Sequence, residues 1–300
     1  ITISKRTNEK TLVFSHALFF VFKLVWLPEN HIYSDKKHIQ NKENKEDNMR
    51  LGITEYGDAG VDFRWENKLK EIDGVILITK NLNDTFIKKV LSHMNEVPIV
   101  VHCTCTGWGH TRMEPNVPDY KQQLSQMKKL IESGFPASRM VLRIDPIFPT
   151  EKGVKRVSEM LNYYHSLGLP ENEIRYRISI VDEYPHVRER YQKLGFTPMY
   201  GGSFYPSDEQ RNLVGNALSE YPYQFDTCAE DVLAYKFPAT FRIKGCISTE
   251  DLQIMGIKYD GTFPENPQGR NGCHCLACKT ELLTPRKKCP HNCLYCFWKD

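Results

Sequence analysis

The chain has 300 residues, 40% of them hydrophobic, with 18 glycines and 17 prolines. That is the composition of a globular protein with one large core or two modest ones, which excludes a fibrous or low-complexity chain. A formal net charge of +3 and a pI near 8.2 give no clear nucleic-acid or membrane signal.

The first methionine is Met49. Ahead of it, residues 11–27 form an apolar run after a basic start. The run contains His16 and Lys23, is short for a full membrane span, and has no small-residue cleavage site. Residues 38–48 are rich in Lys, Asn and Glu, a composition that does not order itself. Residues 1–48 are accordingly read as a leader or a translated upstream extension, and the functional argument begins at Met49.

From there, short apolar and β-branched runs predict strands at 51–54, 75–79, 98–102, 140–144, 174–181, 223–227 and 241–244. Most are continuous rather than alternating, as strands covered on both faces are. Amphipathic helices lie between them. Residues 119–133 put Leu124, Met127, Leu130 and Ile131 on one face, with Gly134 as the stop. Residues 152–166 do the same with Val154, Val157, Met160, Leu161 and Tyr164. A third helix starts at Ser207, which can cap it while Gln210 completes a capping box, and it buries Leu213, Val214, Ala217 and Leu218. Strand–helix alternation implies a parallel sheet, and about seven repeats point to an α/β, TIM-like barrel, complete or incomplete, over residues 49–256. A doubly wound open sheet is the alternative. Residues 257–300 read as a cysteine-rich metal-binding tail packed on the barrel.

Barrel enzymes carry their chemistry at the C-terminal strand ends. Those ends hold Lys80; His102 with Cys103 and Cys105; Arg143 and Asp145; Asp182; Cys228 and Glu230; and Cys246. Arg143 and Asp145 follow an apolar run, and neither charge tolerates burial alone, so they are expected to line a pocket and contact cofactor or substrate. Lys80, Cys228 and Glu230 are catalytic candidates, Cys228 as a hydrogen-atom donor. Cys103 and Cys105 read as small buried hydrophobes.

Of the ten cysteines, six fall between Cys273 and Cys296, a clustering that suits metal ligation in a reducing, cytoplasmic compartment. Cys289, Cys293 and Cys296 have the spacing C-x3-C-x2-C, with Tyr295 before the last. Three thiolates so spaced can each ligate one iron of a 4Fe–4S cubane, leaving the fourth iron open. Cys273, Cys275 and Cys278, with Cys246 as a possible fourth ligand, make a second group for iron–sulfur or zinc. His274 and His291 are read as bystanders.

The tail motif resembles the signature of radical S-adenosylmethionine enzymes. Residues 49–300 resemble an uncharacterised bacterial family catalogued as a domain of unknown function, with a C-terminal cysteine cluster similar to that of the radical enzymes. The matching pieces are Thr79 to Asn81, Arg143 to Ile147, Thr227 to Glu230, Gly245 to Ile247 and Cys289 to Cys296. The resemblance implies a 4Fe–4S cluster, S-adenosylmethionine, a reductase or ferredoxin-type electron donor and an unidentified substrate. In the radical enzymes this motif follows the first strand; here it comes after the barrel, so the cluster is expected to fold back over the barrel mouth. The segment Tyr200, Gly201, Gly202, Ser203 is the one glycine-rich candidate for the adenosylmethionine amine. A rival reading pairs Cys275 and Cys278 with Cys293 and Cys296 as a structural zinc ribbon in a non-catalytic protein. A third is an iron–sulfur electron carrier or sensor.

Overall fold

The computed structural model describes residues 49–227, 229–259, 261 and 272–299, all within a unit spanning Glu46–Asp300. The expectations for residues 1–48 and for Cys228 lie outside the described residues. Eight parallel strands form a single sheet: β1 (Leu51–Ile53), β2 (Gly74–Thr79), β3 (Ile99–Thr104), β4 (Met140–Ile147), β5 (Arg175–Ile180), β6 (Phe225–Thr227), β7 (Phe241–Ile243) and β8 (Lys279–Glu281). Seven of these match the sequence expectation. The eighth comes from the tail and pairs in parallel with β1, Leu51 opposite Lys279.

Helices occupy the crossovers: α1 (Asp84–His93), α2 (Tyr120–Glu132), α3 (Glu151–Ser166), α4 (Pro185–Lys193), α5 (Asp208–Leu218), α6 (Asp231–Lys236) and α7 (Thr249–Met255). The three helices expected from periodicity are α2, α3 and α5. Asp119 and Thr150 cap the first two, and Ser207 with Gln210 forms the predicted capping box. No described helix is long and apolar enough to cross a membrane.

Strand alternation sends side chains to two layers. On one face Val75, Leu77, Ile99, Val101, Met140 and Leu142 pack with the helices. On the other, Leu51, Ile53, Ile76, Val100 and Val141 meet Ile247, Leu252 and Leu276 in a second apolar cluster.

The strand order is β7-β6-β5-β4-β3-β2-β1-β8, and no ladder joins β7 to β8, so the sheet is not closed by hydrogen bonds. The two segments beside that gap nevertheless touch: the Leu276 N–H donates to the Ile247 carbonyl at 3.0 Å. Gly245 permits the approach, because a Cβ there would sit 2.2 Å from the His274 carbonyl oxygen. A Gly245→Ala chain is expected to lose about 1–3 kcal/mol, since backbone cannot move aside as a side-chain tip does. Urea unfolding of the two chains measures it.

Candidate metal centre and its cavity

A cavity of about 770 Å³ opens at the C-terminal ends of the central strands, with Lys80, Thr104, Asp145 and Asp182 in its lining. The tail supplies much of the rest, including Cys289, Cys293 and Cys296, and so lies at the strand ends. Arg143, Cys246, Cys273 and Cys275 line the same cavity.

The described cysteines sort by environment. Cys103 and Cys105 sit in the apolar layer beneath the helices, as read from sequence, and burial pushes the Cys103 thiol up to about 12. Cys278 packs with Leu51, Ile76 and Leu276 in the other apolar cluster and does not reach the cavity. The remaining six face the cavity. Glu230 also stays away from it; its buried carboxylate accepts from the Ile180 N–H at 3.2 Å. His102 is not a strand-end residue, because β3 continues to Thr104. Its ring is fully buried, and burial together with Arg177, Arg143 and Arg175 holds its pKa well below the usual histidine range. The Tyr200–Ser203 stretch does not line the cavity either; the Tyr200 hydroxyl donates to the Val181 carbonyl at 2.6 Å.

The loop that carries Cys289 and Cys293 is fixed by His291, which sequence spacing did not single out. Its Nε2 lies 2.9 Å from Asp58 Oδ2 and its Nδ1 3.2 Å from the Asn116 carbonyl. With an acceptor at each nitrogen the ring is a double donor, the imidazolium form. Burial opposes its charge, but Asp58 outweighs burial and holds the His291 pKa above the ordinary value. Asp58 is likewise buried, and His291 and Thr79 outweigh that burial to hold its carboxyl low. Asp58 also accepts from Thr79 Oγ1 at 2.6 Å, Lys80 N–H at 2.6 Å and Gly60 N–H at 2.8 Å. A single carboxylate thus ties the tail loop to the end of β2.

Glu114 does the same for the other half of the motif. Its buried carboxylate accepts from Lys80 Nζ at 3.0 Å, from Thr106 Oγ1 at 2.7 Å and from the Tyr295 hydroxyl. Lys80 also donates to the Asp145 carbonyl and lies 5.6 Å from the Tyr295 ring centre. Burial alone would lower the Lys80 pKa, but Glu114 and the neighbouring Cys293 outweigh it and keep the ammonium charged. An ion-paired Lys80 is therefore a poor Schiff-base nucleophile. Tyr295→Phe should remove one bond to Glu114 without changing shape, costing about 1–2 kcal/mol while leaving bound iron unchanged. Denaturation midpoints and iron analysis check both halves of that expectation.

Arg143 grips Asp145 through Nε at 2.8 Å and through Nη2, a fork-on-carboxylate pair at the cavity wall. Leu294 packs among Trp108, Phe148 and Tyr191, and Arg190 of α4 donates to the Leu294 and Cys296 carbonyls. At the outer end Tyr184 stacks edge-on with Phe297 and Tyr56 lies against Trp298, with ring centres 4.7 and 5.5 Å apart.

Among the described residues no three His, Cys, Asp or Glu side chains converge as a single metal requires. A cubane spreads its thiolates over three separate irons, so three cysteines around one cavity match it in kind. Burial pushes the Cys289 thiol up to about 11 and the Cys293 thiol up to about 12, Lys80 notwithstanding. Such thiols remain protonated at neutral pH until a metal displaces the proton. The zinc-ribbon quartet is divided, with Cys278 in apolar packing and Cys275, Cys293 and Cys296 at the cavity.

A family model described as "Domain of unknown function (DUF1848)" matches residues 61–298. No curated protein matches the chain.

Proposed function

The chain therefore belongs to that family of unknown function, and we propose from its own residues that it is a radical S-adenosylmethionine-type iron–sulfur enzyme. In this reading Cys289, Cys293 and Cys296 each bind one iron of a 4Fe–4S cluster. The supporting observation is that these three thiols share one cavity with Lys80, Arg143 and Asp145 at the strand ends. When bound, the cluster would offer an open iron to the amino and carboxyl groups of S-adenosylmethionine and the electron that releases a 5′-deoxyadenosyl radical.

The chain's own residues do the rest. Asp58 and His291 hold the ligand loop in register with β2, and Arg190 holds its far end to α4. The partly buried Lys80 ammonium works against the burial that keeps Cys293 a thiol, easing proton loss when a metal binds. Arg143 and Asp145, paired with each other at the cavity wall, would set a charged pair against polar groups of cofactor or substrate. Tyr184, Phe297, Tyr56 and Trp298 form an aromatic rim at the outer end, with Phe297 and Trp298 still partly exposed, and a bound cofactor or substrate would complete the shield that a carbon-centred radical requires. We read the sheet as a barrel of the (β/α)8 kind with one unlaced seam, since the segments flanking the β7–β8 gap already touch. A reducing, cytoplasmic setting and the reductase or ferredoxin-type electron donor implied by the resemblance belong to this reading.

Protein purified without oxygen should be brown and should convert S-adenosylmethionine to 5′-deoxyadenosine when given a one-electron reductant. Brown protein that never forms 5′-deoxyadenosine would be an electron carrier or sensor. Colourless protein holding one zinc on four thiolates would remove the enzymatic reading.

A further inference from the structure

Cys246, Cys273 and Cys275 also line the cavity, yet they come from a different part of the fold. Cys246 follows β7, and the other two precede β8. The two segments are locked backbone to backbone: Leu276 N–H bonds to the Ile247 carbonyl, and Cys246 N–H points at Cys275 Sγ at 3.2 Å. Arg177 Nη1 fixes the Cys246 carbonyl at 2.8 Å. In extended chain, residues two apart share a side, so Cys273 and Cys275 face the cavity together while His274 turns to Asp231 at 3.0 Å.

These thiols are not apolar filler. Cys103, Cys105 and Cys278 belong to apolar clusters, whereas Cys246, Cys273 and Cys275 belong to neither cluster. They also have their own cation: Lys279, paired with Glu55 at 2.7 Å, is within electrostatic reach of Cys275 and Cys246, as Lys80 is of Cys293. The three donors proposed are thiols, which suit soft or iron–sulfur chemistry, and a backbone N–H aimed at a sulfur is the kind of bond that tunes such centres.

We propose that Cys246, Cys273 and Cys275 hold a second iron–sulfur centre, distinct from the one on Cys289, Cys293 and Cys296. This assignment goes beyond the radical-enzyme reading and does not require S-adenosylmethionine cleavage.

Iron and acid-labile sulfide in the full chain, purified and reconstituted without oxygen, test it. The expected iron content exceeds the about four per chain that one 4Fe–4S centre holds. A C289A/C293A/C296A chain should keep the excess, and a C246A/C273A/C275A chain should lose it while retaining the first centre's Mössbauer signal. Two results would overturn the proposal. One is an unsubstituted chain with about four irons and a single cluster signal. The other is a folded C289A/C293A/C296A chain without iron. If a triple variant does not fold, the iron count of the unsubstituted chain decides alone. A zinc ion or a Cys246–Cys275 disulfide, seen by intact-mass analysis, would also reject it. Failure of the radical reading looks different: iron at the higher level with no 5′-deoxyadenosine formed.

Discussion

A Cys293→Ala chain is expected to lose reductive cleavage of S-adenosylmethionine by more than about 100-fold, because even outer-shell changes at metal sites cost 10–100-fold. Cys293 is the most buried of the three proposed tail ligands, 6% exposed, and it lies within reach of the Lys80 ammonium. In that reading one iron then has no thiolate, and the partly buried Lys80 ammonium faces a methyl group. Iron should fall only in part, since the second sulfur set is untouched. Cys103→Ala is the control. That thiol is fully buried on the helix-facing side, so the change should cost about 1 kcal/mol of stability and leave iron and activity intact. Retained cleavage in Cys293→Ala would remove it from the ligand set.

The second large effect lies at Asp58. Asp58→Ala should destabilise the metal-free chain by about 3–5 kcal/mol, the usual cost of stranding one member of a buried ion pair. His291 loses its partner, and the N–H groups of Gly60 and Lys80 lose their acceptor. Asp58→Asn keeps some of these bonds and should cost less. The pH dependence has a definite sign. The depressed Asp58 pKa stabilises the fold above its ordinary value of 3.8, and that contribution is lost as pH falls through the folded-state value. The raised His291 pKa contributes fully below 6.5 and is lost as pH rises through the folded-state value. The margin of the unsubstituted chain over Asp58→Ala should therefore be widest between pH 3.8 and 6.5 and should shrink in alkali. Urea titrations at several pH values measure it; a margin that grew above neutrality would refute the charged pair.

The strands were legible because they are buried on both faces, which forces runs such as Val75 to Ile78 and Ile99 to Val101 that resemble nothing else. β8 was illegible for the converse reason. Lys279, Thr280 and Glu281 carry no apolar pattern, and β1 is the strand they pair with. The six cavity cysteines were visible as residues and as two groups, but the membership of the second group was not. Spacing grouped Cys278 with Cys273 and Cys275, whereas the turn after Leu276 sends Cys278 into apolar packing. Asp58 and Glu114 gave no signal, since their partners His291 and Tyr295 lie 233 and 181 residues away along the chain. Local pattern carries the frame, and long-range charge pairing, which one sequence does not display, carries the site.

The pairing of β8 with β1 also sets an order of events during synthesis. The Glu55 N–H, which donates to Glu281 Oε2, waits for an acceptor 226 positions later. Until then Leu51 to Ile53 emerge from the ribosome as an uncovered, apolar sheet margin, prone to wrong partners. Assembly of the proposed cluster would likewise wait until translation has passed Cys296. A premature stop ahead of residue 279 would yield an aggregation-prone fragment, not merely an inactive one.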